Sequence, residues 1–390
     1  MSSRNLQRTT SRQAAKITPF LVMDILEKAG VMEAAGIDVV HLEVGEPDFP
    51  VPACVKAAAM EALREDFTCY THSLGDLRLR EAICRHYADQ YGVSVSPSRV
   101  LVTSGTSPAM MLIFSALLDP GDEVIMSDPH YACYPNFIRF AGGTPVPVSV
   151  YEQDGFQLSA EAIARAMTPA TRAIIINSPA NPTGTVLSEE RMREIAALSP
   201  LIISDEVYHG LVYEGKAHSI LEFTDDAFVL NGFSKRYAMT GLRLGFVIMP
   251  EAYVRPVQVL HQNFMISANS LVQRAGIAAL EQAGDDVARM RETYDQRRRY
   301  MIRRLREMGF AIASEPTGAF YVFVNAAHLD GDSLRLALDI LEKAHVGVTP
   351  GVDFGRNGEG CLRFSYANSM ENITRGLDRV ERYLNQRRGG

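Results

Sequence analysis

Four short apolar segments of the chain each end in a cluster of polar residues, and these clusters carry the side chains that could do chemistry. They are Ser104–Ser107, Asn177–Gly184, Asp205–Tyr208 and Ser234–Lys235. In an open α/β sheet, ligands bind outside the carboxyl ends of the strands. We therefore expect the four clusters to converge on one pocket.

Lys235 is potentially the most reactive of these residues. Taken alone, a lysine between Ser234 and Arg236 is most simply a surface cation. If it is partly desolvated beside other cations, however, its pKa falls and its neutral amine can attack a carbonyl carbon.

Asp205 offers a complementary group. A carboxylate that is buried at a strand end needs a cationic partner, and a protonated pyridine nitrogen would serve. A helix cap or a surface ion pair is the simpler alternative when Asp205 is considered alone.

The segment around Ser107 predicts an anion site. It stands between an apolar segment and a helical one, so we expect Ser107 to cap the helix and Pro108 to occupy its first position. The free N–H groups and the positive dipole end of a helix N-terminus attract a phosphate. Ser234 and Arg243 could add a hydroxyl and a guanidinium group to the same phosphate.

The elements that must position these residues can be read from the apolar pattern. Between about residues 99 and 249, near-continuous apolar runs alternate with helical segments. This pattern predicts an α/β fold whose sheet is covered by helices on both faces. We expect Ser188 to cap one of these helices. A charged helix over residues 286–310 then leads to an α+β unit, which a helix near residues 20–35 is expected to join.

Composition narrows the function classes. Of 390 residues, 47% are hydrophobic, and the net charge of −7 argues against nucleic acid or an anionic membrane surface as the main partner. The five scattered cysteines form no CxxC pair and the nine histidines form no HExxH pair, so neither a disulfide framework nor a metal site is supported. Reduced thiols in a cytoplasmic protein are the simplest interpretation. The basic residues 1–16 superficially resemble a transit peptide, but we interpret them as an N-terminal arm.

The order and spacing of several motifs resemble those of the fold-type I, class I/II aminotransferases, which use pyridoxal 5′-phosphate (PLP). The matching motifs are Asn-Pro-Thr-Gly at 181–184, Asp-Glu-Val-Tyr at 205–208, Ser-Lys at 234–235, Thr-Gly-Leu-Arg-Leu-Gly at 240–245 and the arginine of Leu-Arg-Phe-Ser-Tyr-Ala, Arg363. The resemblance spans about residues 17–387. It implies a large PLP-binding α/β domain over residues 48–290, with a mostly parallel seven-stranded sheet, and a smaller α+β domain formed by residues 1–47 and 291–390.

The resemblance also implies a role for each matching residue. Lys235 resembles the lysine that holds PLP as an aldimine and moves protons, and Asp205 resembles the partner of the pyridine nitrogen. Tyr208 and Asn181 resemble the partners of the phenolic oxygen of the ring. The other implied cofactor contacts are Tyr131, which would stack on the ring, and Gly105, Thr106, Ser107, Ser234, Arg243 and Tyr70 at the phosphate, with Tyr70 reaching in from a neighbouring subunit. The implied substrate contacts are Gly45, Asn181, Arg363 and, in an apolar segment beside the pocket, Phe20.

These matches imply an aminotransferase (EC 2.6.1.-) that works as a homodimer in two ping-pong half-reactions. It would move the amino group of an α-amino acid to a 2-oxo acid, and the resemblance points to 2-oxoglutarate. No arginine is assignable to a distal carboxylate, and Ser107 stands where many relatives have lysine. Both observations favour neutral or broad donors, and aspartate stays open. The alternatives on the same fold are a β-eliminating C–S lyase, a cyclopropane-forming synthase and a PLP-binding sensor domain.

Overall fold

A computed structural model describes residues 10, 11 and 13–389 of the chain, with side chains up to residue 387. Arg4, Arg8 and Arg12, which belong to the predicted N-terminal arm, lie outside the described residues. The strands, in chain order, are β1 (Val40–His41), β2 (Val100–Thr103), β3 (Glu123–Asp128), β4 (Thr144–Ser149), β5 (Thr171–Asn177), β6 (Leu201–Asp205), β7 (Ala227–Gly232), β8 (Gly245–Ile248), β9 (Tyr321–Asn325), β10 (Val346–Gly347), β11 (Thr349–Pro350) and β12 (Cys361–Ser365).

The α-helices, again in chain order, are α1 (Leu21–Ala34), α2 (Ala53–Arg64), α3 (Leu77–Tyr91), α4 (Thr106–Leu117), α5 (Tyr134–Phe140), α6 (Ala160–Ala166), α7 (Glu189–Ala196), α8 (Glu251–Phe264), α9 (Ser270–Gln282), α10 (Gly284–Glu307), α11 (Ser333–Ala344) and α12 (Met370–Gly389). As predicted, the hydroxyl of Ser188 caps α7 by accepting a hydrogen bond from the N–H of Arg191 at 3.2 Å.

The central sheet follows from the apolar runs of the sequence. Within the described residues it has seven strands in the order β2–β8–β7–β6–β5–β3–β4; β8 runs antiparallel to both of its neighbours and the other pairs are parallel. Successive side chains of a strand point to opposite faces. Accordingly, Phe228 packs with α4 and α8 on one face, whereas Val229 packs with α3 and α9 on the other. Both faces are covered, which is why the strands read as continuous apolar runs.

The remaining strands form two small sheets beside the central one. Strands β11, β12 and β9 are antiparallel, and β1 pairs with β10 in parallel. Helices α1, α11 and α12 pack on these strands, so the predicted N-terminal helix does join the C-terminal α+β unit. Their side chains share one apolar cluster, which includes Ile25, Val40, Val322, Ile340 and Leu377.

The topology brings the polar clusters to one edge of the central sheet. Asn177 and Asp205 are paired neighbours at the carboxyl ends of β5 and β6. Strand β2 runs parallel to these strands, because β8 lies antiparallel between β2 and β7. The turn after β2 therefore opens on the same edge, and this edge holds the candidate site.

Candidate active site

One cavity of about 230 Å³ lies at this edge of the sheet. Most of the residues predicted from the sequence line it, namely Phe20, Gly45, Thr106, Ser107, Tyr131, Asn181, Asp205, Tyr208, Lys235 and Arg363. Gly105 and Arg243 lie next to this lining, since a Cβ atom on Gly105 would come within 2.6 Å of Nη2 of Arg243. Ser234 and Tyr70 are not among the lining residues.

Lys235 lies in the cavity with a perturbed amine. Its Nζ donates a hydrogen bond to the carbonyl oxygen of Gly45 at 2.6 Å. Burial lowers the pKa of Lys235 to about 8, with Glu46 opposing the shift and Arg363 and Arg243 adding to it. In the described part of the chain no carboxylate lies within ion-pair distance of this amine. The half-buried amine therefore loses its proton around pH 8, well below the ordinary range for lysine.

Asp205 is a buried carboxylate at the end of β6. Its Oδ2 accepts a hydrogen bond from the hydroxyl of Tyr134 at 2.7 Å, and its Oδ1 accepts one from the N–H of Val207 at 3.2 Å. Burial raises the pKa of Asp205 to about 6, although both hydrogen bonds act in the opposite direction. The side chain is 4% exposed and has no cationic partner among the described residues. A ligand cation would satisfy this charge, whereas a helix cap or a surface ion pair does not describe it.

Arg363 is also buried, and no carboxylate of the described residues lies within ion-pair distance of it. Its Nη1 donates to Oδ1 of Asn181 at 2.8 Å, and its Nη2 donates to the carbonyl oxygen of Glu43 at 2.5 Å and to the hydroxyl of Thr349 at 3.0 Å. Its guanidinium lies over the ring of Tyr321, 4.2 Å from the ring centre, and its Nε has no hydrogen-bond partner. A buried arginine that meets only neutral acceptors is a ready site for an anion.

Asn177 connects Asp205 with Arg363 on the polar side of the cavity. The sequence interpretation gave Asn177 no role. Its Oδ1 accepts a hydrogen bond from the N–H of Asn181 at 2.8 Å, and its Nδ2 donates to the carbonyl oxygen of Asp205 at 3.0 Å. Because Asn181 in turn binds Arg363, the amides hold Asp205 and Arg363 in one network.

Two tyrosines of the site were missed by sequence reasoning. Tyr134 binds Asp205, and the hydroxyl of Tyr321 lies 2.8 Å from that of Tyr208. A Cβ atom on Gly45 would lie 1.9 Å from the Tyr321 hydroxyl, so this position requires glycine. One feature of the sequence could have indicated Tyr134. It lies three positions after the predicted cofactor contact Tyr131, at the start of the helix that follows the same loop.

The start of α4 differs from the prediction. The helix begins at Thr106, Gly105 is its N-cap, and Pro108 is its third residue, so the expected Ser107 cap and first-position proline are wrong. The φ of Gly105 is +93°, a conformation that favours glycine and lets the chain turn into the helix earlier. The N–H groups of Thr106 and Ser107 are left at the helix end, where they can bind an anion.

The rest of the cavity is apolar. Phe20 precedes α1, and Val22, Met23 and Leu26 of α1 line the cavity beside it, together with Val44 and Met110. We call these six residues the apolar wall. Only Phe20 was predicted, because nothing in the sequence shows which side of α1 meets the cavity.

Comparison with known proteins identifies the family. The family model for aminotransferase class I and II matches residues 37–380. The chain belongs to this family. As the family implies, it is a PLP-dependent enzyme of fold type I that transfers amino groups between amino acids and keto acids.

Individual relatives match along nearly the whole chain. A (5-formylfuran-3-yl)methyl phosphate transaminase of Methanocaldococcus jannaschii is 40% identical, over 96% of this chain and 100% of the relative. An aspartate aminotransferase of Pyrococcus horikoshii is 38% identical, over 93% of this chain and 94% of the relative. A solved structure from Methanococcus jannaschii, described as similar in its active site to kynurenine aminotransferases, has a TM-score of 0.90 at 39% identity and covers 97% of this chain and 100% of that one.

The residues of the cavity fit PLP. The cofactor has an aldehyde, a ring nitrogen that can carry a proton, and a phosphate. The cavity offers a half-buried amine of lowered pKa at Lys235, a buried carboxylate without an ion-pair partner among the described residues at Asp205, and free N–H groups at the start of α4. Among residues 10, 11 and 13–387, no cluster of side chains could hold a metal ion, and no described helix is long and apolar enough to span a membrane.

Proposed function

We propose that this cavity transfers the amino group of an α-amino acid, either neutral or aspartate-like, to 2-oxoglutarate in two ping-pong half-reactions. One observation carries the proposal. Asp205 and Arg363 are buried in the lining of one cavity, Lys235 is half-buried there, and no described residue forms an ion pair with any of the three. Such charges are costly unless a ligand pairs with them. An amino acid and PLP together supply a carboxylate, a pyridine cation and a carbonyl group.

The cofactor would be held along the polar side of the cavity. Asp205 would pair with the protonated ring nitrogen, Tyr208 and Asn181 would bind the phenolic oxygen, and Tyr131 would stack on the ring. The phosphate would be bound by the N-terminus of α4 and flanking side chains, namely Gly105, Thr106, Ser107, Ser234 and Arg243.

The protein's own groups would place the substrate and move its proton. Arg363 would bind the α-carboxylate as a bidentate fork with the help of Asn181 and of the backbone at Gly45. Bound PLP supplies an electron sink for the α-carbon. The neutral amine of Lys235 would accept the proton from the α-carbon and later return one, because its pKa of about 8 suits both directions near neutral pH.

We also propose a homodimer in which Tyr70 reaches the phosphate of the neighbouring subunit. Tyr70 is 79% exposed and lines a surface pocket with residues 267–271, which follow the exposed Phe264 and Ile266 in the chain. Large apolar side chains exposed in these two segments support an interface. Tyr70→Phe should weaken PLP retention without unfolding the protein. Unchanged affinity for PLP in a dialysis assay would remove Tyr70 from the phosphate site.

Two further features are proposals of the same kind. A cytoplasmic location is supported by the five unpaired cysteines, which suit a reducing compartment. The division into residues 48–290 and a smaller domain of residues 1–47 and 291–390 is supported by the shared apolar cluster of Ile25, Val40 and Leu377.

The proposal can be tested in a cuvette. The visible absorption of the purified enzyme with bound PLP is recorded before and after adding single amino acids without an acceptor. Donors should convert the band to that of the pyridoxamine form, and 2-oxoglutarate should restore it. Lys235→Ala should abolish both changes, whereas Lys216→Ala, at an exposed lysine outside the cavity, should not. A band that persists while pyruvate accumulates would instead assign a β-lyase.

A further inference from the structure

Among the described residues, no cation in the cavity lining is left to pair with a second carboxylate of the donor. Among the described residues, the cavity is lined by three charged side chains, Lys235, Asp205 and Arg363. Under the proposed function each of them already has a partner in the cofactor or in the α-carboxylate. A distal carboxylate would therefore be buried without a counter-ion, which is strongly unfavourable.

Two acidic side chains, Asp353 and Asp24, lie near the start of α1. The carboxylate of Asp353 lies at the N-terminus of α1, where burial raises its pKa, the N–H groups of Leu21 and Val22 and the guanidinium of Arg363 oppose the shift, and Asp24 adds slightly to it. The described lysine of α1, Lys28, is turned away from the cavity, since it forms an ion pair with Glu342 of α11. An acidic side chain near the apolar wall would thus meet acidic groups.

The apolar wall is held firmly in place. The N-cap residue of α1, Phe20, provides no side-chain cap. Instead, Oδ1 of Asp353 accepts a hydrogen bond from the N–H of Leu21 at 3.0 Å, and Oδ2 accepts one from the N–H of Val22 at 3.2 Å. The preceding segment is tied to α5, because Nδ2 of Asn136 donates to the carbonyl oxygen of Thr18 at 3.0 Å.

We infer that the preferred donor is an α-amino acid with a bulky apolar side chain, aromatic or long aliphatic, which packs against the apolar wall. This inference rests on the proposed function and names its substrate class. Phe20, Met23 and Met110 offer aromatic and flexible sulfur-containing surfaces that adapt to large apolar groups. An aspartate-like donor would find neither a cation nor an adequate polar partner at this wall.

The test compares donors and non-reacting analogues on the holoenzyme. Phenylalanine and leucine should convert the absorption band with a catalytic efficiency at least about tenfold above that of aspartate and glutamate, a typical discrimination for an apolar pocket. 3-Phenylpropionate should likewise bind more tightly than succinate. If aspartate and succinate match or exceed the apolar ligands, a cation from elsewhere serves the site and the inference is wrong, while the proposed function stands. If no amino acid changes the band, the proposed function itself fails.

A second test of the inference introduces a charge into the apolar wall. Met23 is 45% exposed, so Met23→Arg can fold with its charge at the edge of the cavity. It should lower the efficiency with phenylalanine and raise that with aspartate, shifting their ratio about tenfold or more. Val31→Arg is the matched control, because Val31 lies on the same helix, is 71% exposed and does not line the cavity. An unchanged ratio in Met23→Arg would remove the wall from side-chain recognition.

Discussion

The two sides of the cavity are built in different ways. On the polar side, Asp205 and Asn181 stand at or just beyond the ends of buried strands, and Lys235 follows the end of β7, where the sheet holds the backbone rigidly. The apolar wall comes largely from the start of α1, which packs with the small sheets and is capped by Asp353. Under the proposed function, the chemistry that all substrates share would lie on the sheet. The choice of substrate would depend largely on a separate helix.

The largest expected effect comes from the sheet side. Asp205→Asn removes the charge that would keep the ring nitrogen protonated, so amino transfer should fall by roughly a thousandfold for every donor.

Tyr134→Phe removes one hydrogen bond to the same carboxylate. It should lower the rate of amino transfer about tenfold, by the usual strength of a charge-assisted hydrogen bond. Steady-state kinetics with an apolar and an acidic donor checks both variants. A loss confined to one donor would contradict the division between the two sides.

Substitution of Arg363 should also affect all donors alike. Arg363→Lys keeps a charge but loses the planar fork, and we expect kcat/KM to fall about a hundredfold through two lost hydrogen bonds. The α-carboxylate is common to all donors, so the ratio of efficiencies between phenylalanine and aspartate should stay constant. A changed ratio would show that Arg363 also reads the side chain.

The perturbed amine of Lys235 predicts a pH dependence of cofactor capture. Its pKa of about 8 lies below the ordinary value, so the amine is protonated and unreactive below pH 8 and neutral above it. Between pH 6 and pH 8 the neutral fraction, and with it the rate at which the apoenzyme captures PLP, should rise roughly fiftyfold. Stopped-flow absorbance measures this rate. A rate that keeps rising to pH 10 would show an unperturbed lysine.

The smallest effect is expected at the cap of α1. Asp353→Asn leaves one carbonyl oxygen for the two N–H groups of Leu21 and Val22, so the helix start should loosen. We expect the preference for apolar donors to fall about threefold, with little change in PLP affinity or in the pH profile, in line with the modest energy of one cap. A large loss of PLP affinity would mean that Asp353 acts on the polar side as well.

Much of the polar side was predictable because its residues follow strands that are themselves visible in the sequence. Apolar runs such as Ile174–Ile176 and Phe228–Leu230 marked the strands, and the edge where ligands bind follows from the direction of those strands. The position of Lys235 and Asp205 at one cavity agrees with this reasoning. Their chemical roles stay predictions until the variants are measured.

Other features escaped prediction for local reasons. The start of α4 was misplaced because Ser107 and Pro108 resemble a cap and a first helical residue, whereas the positive φ of Gly105 and its close approach to Arg243 are seen only in the folded chain. Tyr134 and Tyr321 gave too little signal, since a tyrosine near a loop or in an apolar strand is as common in an ordinary core.

The amino-acid sequence by itself determined the covered sheet, the helix cap at Ser188 and the set of reactive residues at the strand ends, because periodicity and local hydrogen bonding act over a few residues. The tertiary structure alone decided which charges are buried without a partner and which side of α1 faces the cavity. Residues such as Asp353 and Leu21 are more than three hundred positions apart in the chain. Contacts over such a separation depend on how the whole chain packs, so the pKa values and the apolar wall that follow from them appear only in the folded protein.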